Sequence, residues 1–543
     1  MNIKKVNIEN YKCFYGKFTL EFNNNVNILV GNNESGKSTI LEAVNVALTG
    51  ILRGGRYLKN NLSQYLFNTH VVAEYLEGIK SGKKPPLPCI TIEIFFNDND
   101  VPLFEGNGNS ERKKECGVVL KIEFDNDYQS EYNELMTLPD EITTIPIEYY
   151  KITWKSFARE SVSSRSIPIK SVIIDSTSNR YQNGSDIYIS RIINDDLKDQ
   201  EKVELSQAYR KMKQSFMRES SVKNINESIQ SKSKLTEKKL KISVDLSTQN
   251  SWETALMTYL DEVPFHQIGT GGEQCIVKTN LALEHHKSQE ANLILLEEPE
   301  SHLSHSKLNM LMKNIIESCV NKQIIITTHS SFIANKLGLE NLLLINDQNV
   351  TKFSDLTEDT YNFFKKLPGY QTLRIIFCKK AVLVEGDSDE LVFQKAYMNA
   401  NNGKLPIEDG IDVISVKLTF KRFLEIAAKI DKEVAVITDN DGDYDIKIKN
   451  KYEAYKNHQY IKIFADKREI LKTLEPQFVD ANQNYLGSLC EVIQLDHSKY
   501  DTAEKITGYM TNNKTTWALR VFESDTEVVY PKYIKDAVEW CNG

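Results

Sequence analysis

The first fourteen residues, MNIKKVNIENYKCF, alternate apolar and polar at the period of a β-strand, and VNILV at 26–30 predicts a second strand that enters a glycine-containing loop. After the loop, STILEAVNVAL from Ser38 places its apolar residues at helical spacing, so this stretch reads strand, loop, helix. The short alternating segments ITIEIFF (90–96) and GVVLKIEF (117–124), set among polar turns rich in Gly, Pro and Asn, predict an antiparallel β lobe over about 51–155. The character changes between about 156 and 250. There Leu205, Ala208, Met212 and Phe216 keep helical spacing inside a highly charged stretch, and Ile225, Ile229 and Leu235 continue it less regularly. A helical insertion is predicted, either an exposed hairpin that joins two copies of the chain or a helix pair packed on its own domain. KISVDL (241–246), NLILL (292–296), QIIITTHSS (323–331), AVLV (381–384) and EVAVITDND (433–441) complete the predicted strands, with a linker around 367–377.

Composition narrows the class. At 543 residues, 41% hydrophobic and 26% charged, the chain is long enough for three or four globular units with sizeable cores. No apolar run approaches the roughly 18 residues of a membrane span, and the N-terminus lacks a signal-peptide core, which predicts a cytoplasmic protein without a membrane partner. Eight cysteines lie scattered without a CxxC pair, so neither a disulfide framework nor structural zinc is indicated. The net charge of −8 means that a nucleic-acid partner would be held by local patches or through metal ions. Such patches are Lys83 with Lys84, Arg112 to Lys114, Lys234 to Lys241, Lys417 to Arg422, and Lys447 to Lys451.

The loop after the second strand is GNNESGKST, Gly31 to Thr39. Backbone N–H groups of Asn32, Asn33, Glu34, Ser35 and Gly36, running into a helix that starts at Lys37, Ser38 and Thr39, suit the wrapping of phosphates. Lys37 would reach the outer phosphates and Ser38 would offer its hydroxyl to magnesium. Downstream, GTGGEQ (269–274) sets the Thr270 hydroxyl, Gly271, Gly272 and Glu273 ahead of a helix, a second anion-cradling arrangement. NLILL then delivers Glu297 and Glu298, the first assigned to the nucleotide's metal and the second to polarising the attacking water. QIIITTHSS ends near His329, placed to touch the γ-phosphate of ATP.

In this order the four motifs resemble the ATP-binding-cassette ATPases of the RecF, Rad50 and SMC group, over residues 1 to about 368 apart from the insert. The resemblance implies that two chains sandwich two ATPs, each Gly31–Thr39 loop facing the partner's 270–274 segment. Two positions depart from the group's pattern: Glu297 stands where transporters usually have Asp, and Ser304 where an Asp often follows. Gln64 is the candidate for the lobe-linking glutamine.

In the last third, VEGDSDE (384–390) puts Glu385 at a strand's end and Asp389 four residues on, at the start of a helix and on the same face. EVAVITDND brings Asp439 and Asp441, which in an extended segment share one side. Four acids so placed would repel one another unless hard divalent cations let them stay ionised. DNDGD also opens like a calcium loop, but Lys447 and Asn450 occupy the ninth and twelfth positions from Asp439, where such a loop needs its late ligands.

The strand-Glu-Gly then strand-Asp-x-Asp pattern resembles the Toprim fold of topoisomerases, bacterial primases and OLD (overcoming lysogenization defect) nucleases, over about 378–543. Glu475 in KTLEPQ and Lys514 in NNKTTWAL match a late acidic and a late basic position of the OLD nucleases. The resemblance implies Glu385, Asp389, Asp439, Asp441 and Glu475 as ligands of two Mg2+ or Mn2+ ions about 4 Å apart, with Lys514 stabilising the transition state.

The expected fold class is therefore α/β: an ABC-type ATPase (1–155 and 251–368) carrying an inserted helical dimerisation segment (156–250), followed by a Toprim domain with a central parallel sheet (378–543). The implied function is that of an OLD nuclease, as in Gabija-type and retron-associated antiphage systems. That is an ATP-binding, metal-dependent DNA endonuclease or nickase, homo-oligomeric, acting beside a helicase or a reverse transcriptase with its DNA product. Two other readings are an ATP-gated DNA clamp or sensor that cuts nothing, and a topoisomerase-like enzyme, which would need a nucleophilic tyrosine.

Overall fold

The computed structural model describes residues 1–32, 34–53, 56–83, 85–97, 101–137, 142–175, 181–182, 185–186, 197–232, 242–243, 259–264, 277, 292–301, 303–318, 322–346, 348–353, 356–366 and 372–543. The chain forms two compact units, the first comprising 1–29 and 34–328, the second 30–33 and 329–543. In the first, β1 (Ile3–Glu9), β2 (Lys17–Glu21), β4 (Ile90–Phe96), β5 (Glu115–Phe124) and β6 (Tyr150–Ser156) pair antiparallel in the order β2-β1-β4-β5-β6. The strands at 90–96, 115–124 and 150–156 are antiparallel as expected over 51–155, and β1 and β2, from outside that range, complete the sheet.

A second sheet is parallel. Strands β7 (Ser171–Asp175), β8 (Leu293–Glu297), β9 (Gln323–Thr327) and β3 (Val26–Gly31) lie side by side in that order, with Leu295 opposite Ile325 and Ile326 opposite Ile28. Every residue of β8 and β9 is buried, which continuous apolar runs such as LILLE and QIIIT demand of a sheet covered on both faces. Helix α1 (Lys37–Thr49) leaves β3 through the loop and buries Ile40, Leu41, Val44 and Leu48. Gln323 ties the sheets together: its Oε1 accepts from the Ile3 N–H at 2.7 Å, and its Nε2 donates to the carbonyls of Ile3 and Asn23 at 2.8 Å each.

The region 156–250 is not helical throughout. SVIID at 171–175 is an edge strand of the parallel sheet, with only three apolar residues, too few for a period to show. Helices follow only at α2 (Asp199–Arg218) and α3 (Ser220–Lys232), on which Met212, Phe216 and Ile225 are exposed. Leu235 and most of KISVDL lie outside the described residues. Helix α4 (His305–Ser318) connects β8 to β9.

The second unit begins at His329 rather than near 378, and opens with a hairpin of β10 (Leu342–Asn346) and β11 (Asn349–Lys352). The expected linker contains a helix, α5 (Thr372–Phe377). Arg374 anchors it by donating to both carboxylate oxygens of Asp412, at 2.9 and 2.6 Å, and to the Val413 carbonyl at 2.9 Å. Four parallel strands then form a sheet in the order β13-β12-β14-β15: β12 is Lys380–Val384, β13 Ile411–Ser415, β14 Glu433–Ile437 and β15 Ile461–Phe464. Helices α6 (Asp387–Ala400), α7 (Phe420–Lys429), α8 (Leu474–Ala481), α9 (Lys514–Glu523) and α10 (Lys532–Asn542) accompany it. Phe393, Phe478, Trp517 and Ile534 pack in its core with Val382 and Ala435 of the central strands.

The topology places the site. From β12 the chain crosses to β13 on one side, and from β14 to β15 on the other, so the connections diverge between two adjacent strands. In an open parallel sheet that divergence opens a crevice at the carboxyl ends of the strands. Glu385 follows β12 directly, and Thr438 and Asp439 follow β14.

Candidate functional site

The loop from Gly31 reaches α1 through a backbone that side chains resist. Glu34 has φ 71° and Gly36 φ 93°. A Cβ on Gly36 would stand 2.7 Å from the Phe14 ring and 2.9 Å from Cys13 Sγ, so glycine is required here. No side chain caps α1, which leaves its N-terminal N–H groups to an anion. Ser35 Oγ is buried without a hydrogen-bond partner. Lys37 is 6% exposed, and burial lowers its pKa while the charges of Glu298 and Glu300 oppose that shift. A desolvated cation, an unpartnered hydroxyl and a glycine turn at a helix N-terminus fit a nucleotide's phosphates.

Glu297 ends β8, 4% exposed, and pairs with Arg53 Nη2 at 3.0 Å. Glu298 turns out of the strand at φ 41°, its N–H donating to the Thr327 carbonyl at 3.0 Å. The two acids therefore diverge at the strand's end. Thr328 Oγ1 donates to Glu300 Oε1 at 2.7 Å. Ser38 and Thr39 are half-buried in the first turn of α1, Asn32 is exposed, and Gln64 sits in a single turn at 64–66. His329 is exposed, with its ring 5.9 Å from that of Phe377. Asn33, Thr270, Gly271, Gly272 and Glu273 lie outside the described residues.

In the second unit the carboxylates gather at the crevice. Glu385 Oε1 accepts from Thr438 Oγ1 at 2.5 Å and from the Asp439 N–H at 3.1 Å. Asp389 Oδ2 accepts from the Gly386 N–H at 3.1 Å. Glu475 is 2% exposed in the first turn of α8, held by Thr473 Oγ1 at 2.6 Å, and Lys514 at the start of α9 stands 3.6 Å from it. Asp439 Oδ1 is buried with no hydrogen-bond partner.

Crowding shows in the protonation behaviour. Burial, then the charges of Asp389, Glu385, Glu475 and Asp441, push the Asp439 carboxyl up to about 9. Burial, then Glu385 and Glu475, push Asp389 up to about 7. Burial also raises the hydroxyl of Tyr533 on α10 well above its ordinary value, with Asp439 and Asp389 adding to it.

Among the described residues, no group of three or more His, Cys, Asp or Glu side chains is arranged so that it could hold a metal ion. Glu385, Asp389 and Glu475 are instead drawn onto hydrogen bonds of their own, as mutual repulsion requires, while Asp439 Oδ1 has none. An oxygen-only donor set with an orphaned buried carboxylate oxygen fits a hard divalent cation.

Asp441 corrects one expectation. β14 ends at Ile437, and Asp441 adopts φ 50° in a turn with Gly442 at φ 83°, half exposed and 3.5 Å from Lys447 Nζ. It stands at the rim and does not alternate with Asp439 along a strand. The Asp-Gly dipeptide carried that signal, because both positions tolerate positive φ.

Residues 1–334 match the family described as AAA ATPase domain, more than half of the chain. The chain belongs to the AAA ATPase domain family. Residues 376–441 match the Overcoming lysogenization defect protein-like, TOPRIM domain, so the second unit carries an OLD-like Toprim domain joined to the ATPase. Endonuclease GajA of Bacillus cereus (strain HuB5-5) is a distant relative, 24% identical over an alignment of 342 residues, gaps included, which covers 47% of this chain and 49% of its own length. The chain thus spans about half the length of that curated relative. A solved SmcHead bound to the C-winged helix domain of ScpA is similar over 65% of this chain and 99% of its own, with 15% identity and a TM-score of 0.34. The C-terminal region of the Burkholderia pseudomallei OLD protein covers 30% of this chain and 97% of its own, with 18% identity and a TM-score of 0.25.

The ATPase domain implies ATP as its nucleotide, and the Toprim domain implies a divalent cation. No described helix is long and apolar enough to cross a membrane. Within the Toprim domain Asn440 carries no motif signal of its own. This side chain is fully buried, and its Nδ2 donates to the carbonyls of Asp466, Arg468 and Leu471 at 2.9, 3.0 and 3.1 Å, while its Oδ1 accepts from the Gly442 N–H at 2.8 Å. It pins the loop that presents Asp439 and Asp441. Were Asp439 to ligate the cation, Asn440→Ala would be expected to weaken Mn2+ binding by about 10–100-fold, the usual cost of losing support behind a metal ligand. Calorimetric Mn2+ titration of the full chain measures this, and unchanged affinity would refute the positioning role.

Proposed function

We propose that this chain is a nucleotide-regulated, metal-dependent DNA endonuclease or nickase of the OLD family. It works in the cytoplasm as an effector of prokaryotic antiphage defence, as a homo-dimer or higher oligomer through its ATPase, beside a partner such as a helicase or a reverse transcriptase with its DNA product. The observation that carries the nuclease reading is the gathering of Glu385, Asp389, Asp439 and Glu475 at the sheet's crevice with Asp439 Oδ1 unpartnered. That much buried negative charge is tolerable when neutralised by cations. The relationship to an endonuclease over nearly half the chain supports it.

Glu385, Asp389, Asp439, Asp441 and Glu475 would hold Mg2+ or Mn2+, which supplies Lewis acidity toward a phosphodiester and charge relief for its leaving oxygen. Lys514, 58% exposed and 3.6 Å from Glu475, would offset negative charge growing on the phosphoryl oxygens. Thr438 and the Asp439 N–H orient Glu385. In the ATPase, Lys37 and the N–H groups opening α1 would bind the phosphates, Ser38 and Glu297 would hold magnesium, and Glu298 would polarise water. Thr270 to Glu273 would cap the γ-phosphate of the nucleotide bound by a second copy of the chain, and His329 would be a further γ-phosphate contact. ATP binding biases how the carboxylates meet DNA and takes no direct part in strand cleavage.

Incubation of the full chain with supercoiled plasmid and Mn2+ or Mg2+, with and without ATP, tests the reading. Relaxed or linear product is expected with metal, none with chelator, and a rate at least about 10²-fold below wild type for Glu385→Gln. Absence of nicking on every DNA form, with the defence partner present, would exclude a nuclease. Cleavage retained by Glu385→Gln would exclude this site.

A further inference from the structure

Beyond the acids, the turn after the Asp441–Gly442 bend is unusual. Asp445–Asn450 winds as a π-helix, a rare conformation that is frequent at functional sites. Lys447 lies within this turn and Lys451, four residues on, directly follows it, near enough that the two cations repel. Lys447 Nζ reaches Asp441 Oδ2 at 3.5 Å. Lys449, between them, turns away to an ion pair with Asp445 in solvent.

Lys451 is the better built of the pair. Its Nζ rests 5.5 Å from the ring of Phe420 and 5.1 Å from that of Tyr452, two buried rings packed edge to face. Burial lowers its pKa, Glu385 and Asp441 are the charges that sustain it, and Lys447 and Lys421 press against it. Three cations in one another's field are unfavourable unless anions stand among them. Here the nearest anions are carboxylates that metal binding would claim, and a phosphate is the group that would replace them.

We propose that Lys451 is a phosphate-binding residue for the DNA strand at the Toprim carboxylates, its ammonium preset against Phe420 and Tyr452 on the side flanked by Lys447. The inference rests on the nuclease reading for its substrate and adds a DNA contact to it. Lys514 approaches the acids through Glu475, whereas Lys451 approaches through Glu385 and Asp441, so the strand is gripped by two cations. Packing against the rings limits the freedom that the side chain must give up on binding.

The test is fluorescence anisotropy of a labelled DNA duplex with the full chain in Ca2+, at several salt concentrations, so that binding is read without cleavage. Lys451→Ala is expected to raise Kd about tenfold at low salt and to reduce the slope of log Kd against log salt by about 0.9, the signature of one lost phosphate contact. Lys451→Met, which keeps the apolar stem, should do the same, Lys451→Arg should restore both quantities, and Lys449→Ala should leave both at wild-type values. A wild-type slope in Lys451→Met, or an equal effect from Lys449→Ala, overturns the proposal. A chain that binds DNA with this pattern and never cuts would remove the nuclease reading alone. A chain that cuts while Lys451→Met binds normally would remove this inference alone.

Discussion

Asp439→Asn is expected to abolish metal-supported cleavage and, in the same protein freed of divalent cations, to raise the melting temperature near pH 8. The two effects share one cause. The Asp439 carboxyl is pushed from its ordinary 3.8 up to about 9, first by burial and then by Asp389, Glu385, Glu475 and Asp441. Because the folded value exceeds the unfolded one, the folded state binds more protons across that window. Its stability is therefore full below the unfolded value and falls as pH rises toward the folded one. Asparagine, a neutral replacement of the same shape, removes this dependence, so its advantage is largest at high pH and fades toward pH 4.

Divalent cations reverse the order. Any ligand that binds only the folded state stabilises it by mass action, so Mn2+ should raise the wild-type melting temperature. The variant, lacking a charged ligand at the crevice, should gain little. Thermal melts at several pH values in chelator and in Mn2+ read both halves. If the variant melts below wild type in chelator at pH 8, the account of a charge-crowded crevice is wrong.

Lys37→Ala is expected to lower ATP hydrolysis by about 10²–10³-fold, the scale of losing one cation aimed at developing charge. The argument is desolvation. At 6% exposure the Lys37 ammonium has exchanged most of its water for the company of Glu298 and Glu300, and a triphosphate would complete its shell. Without it, those two acids would face the phosphates uncompensated. Melts with Mg-ATP should lose their nucleotide-dependent rise while the Mn2+ response carried by the Toprim carboxylates persists. Hydrolysis near the wild-type rate would show that Lys37 is only a buried structural lysine.

What could be read ahead of the structure was what local spacing encodes. Gly36, Lys37 and Glu297 lie within motifs whose strands and helices are adjacent in sequence, so period and turn chemistry were enough. The approach of Lys514 to Glu475, 39 residues apart, came from a resemblance, since nothing near either residue signals a partner. Asn440 was illegible for a related reason: its meaning lies in three carbonyls 26 to 31 residues downstream. Arg53, paired with Glu297, likewise sits in a basic stretch whose sequence names no target. The strand SVIID was short enough to vanish inside a charged region, and the run through Asp441 was read as extended because the apolar alternation outweighed its Asp-Gly ending.

The placement of α5 bears on how this protein should be cut apart. A C-terminal fragment starting at 378 would discard Arg374 and leave Asp412 without its bidentate donor. It would also strip away Leu373 and Ile375, both inaccessible to water in the intact unit. Upstream, Thr357 and Thr360 hold Glu425 of α7, and Phe364 meets Phe423 edge to face. Soluble, well-behaved truncations should therefore open before Thr357, and insolubility of shorter pieces would report a severed scaffold and say nothing against the catalytic residues they contain.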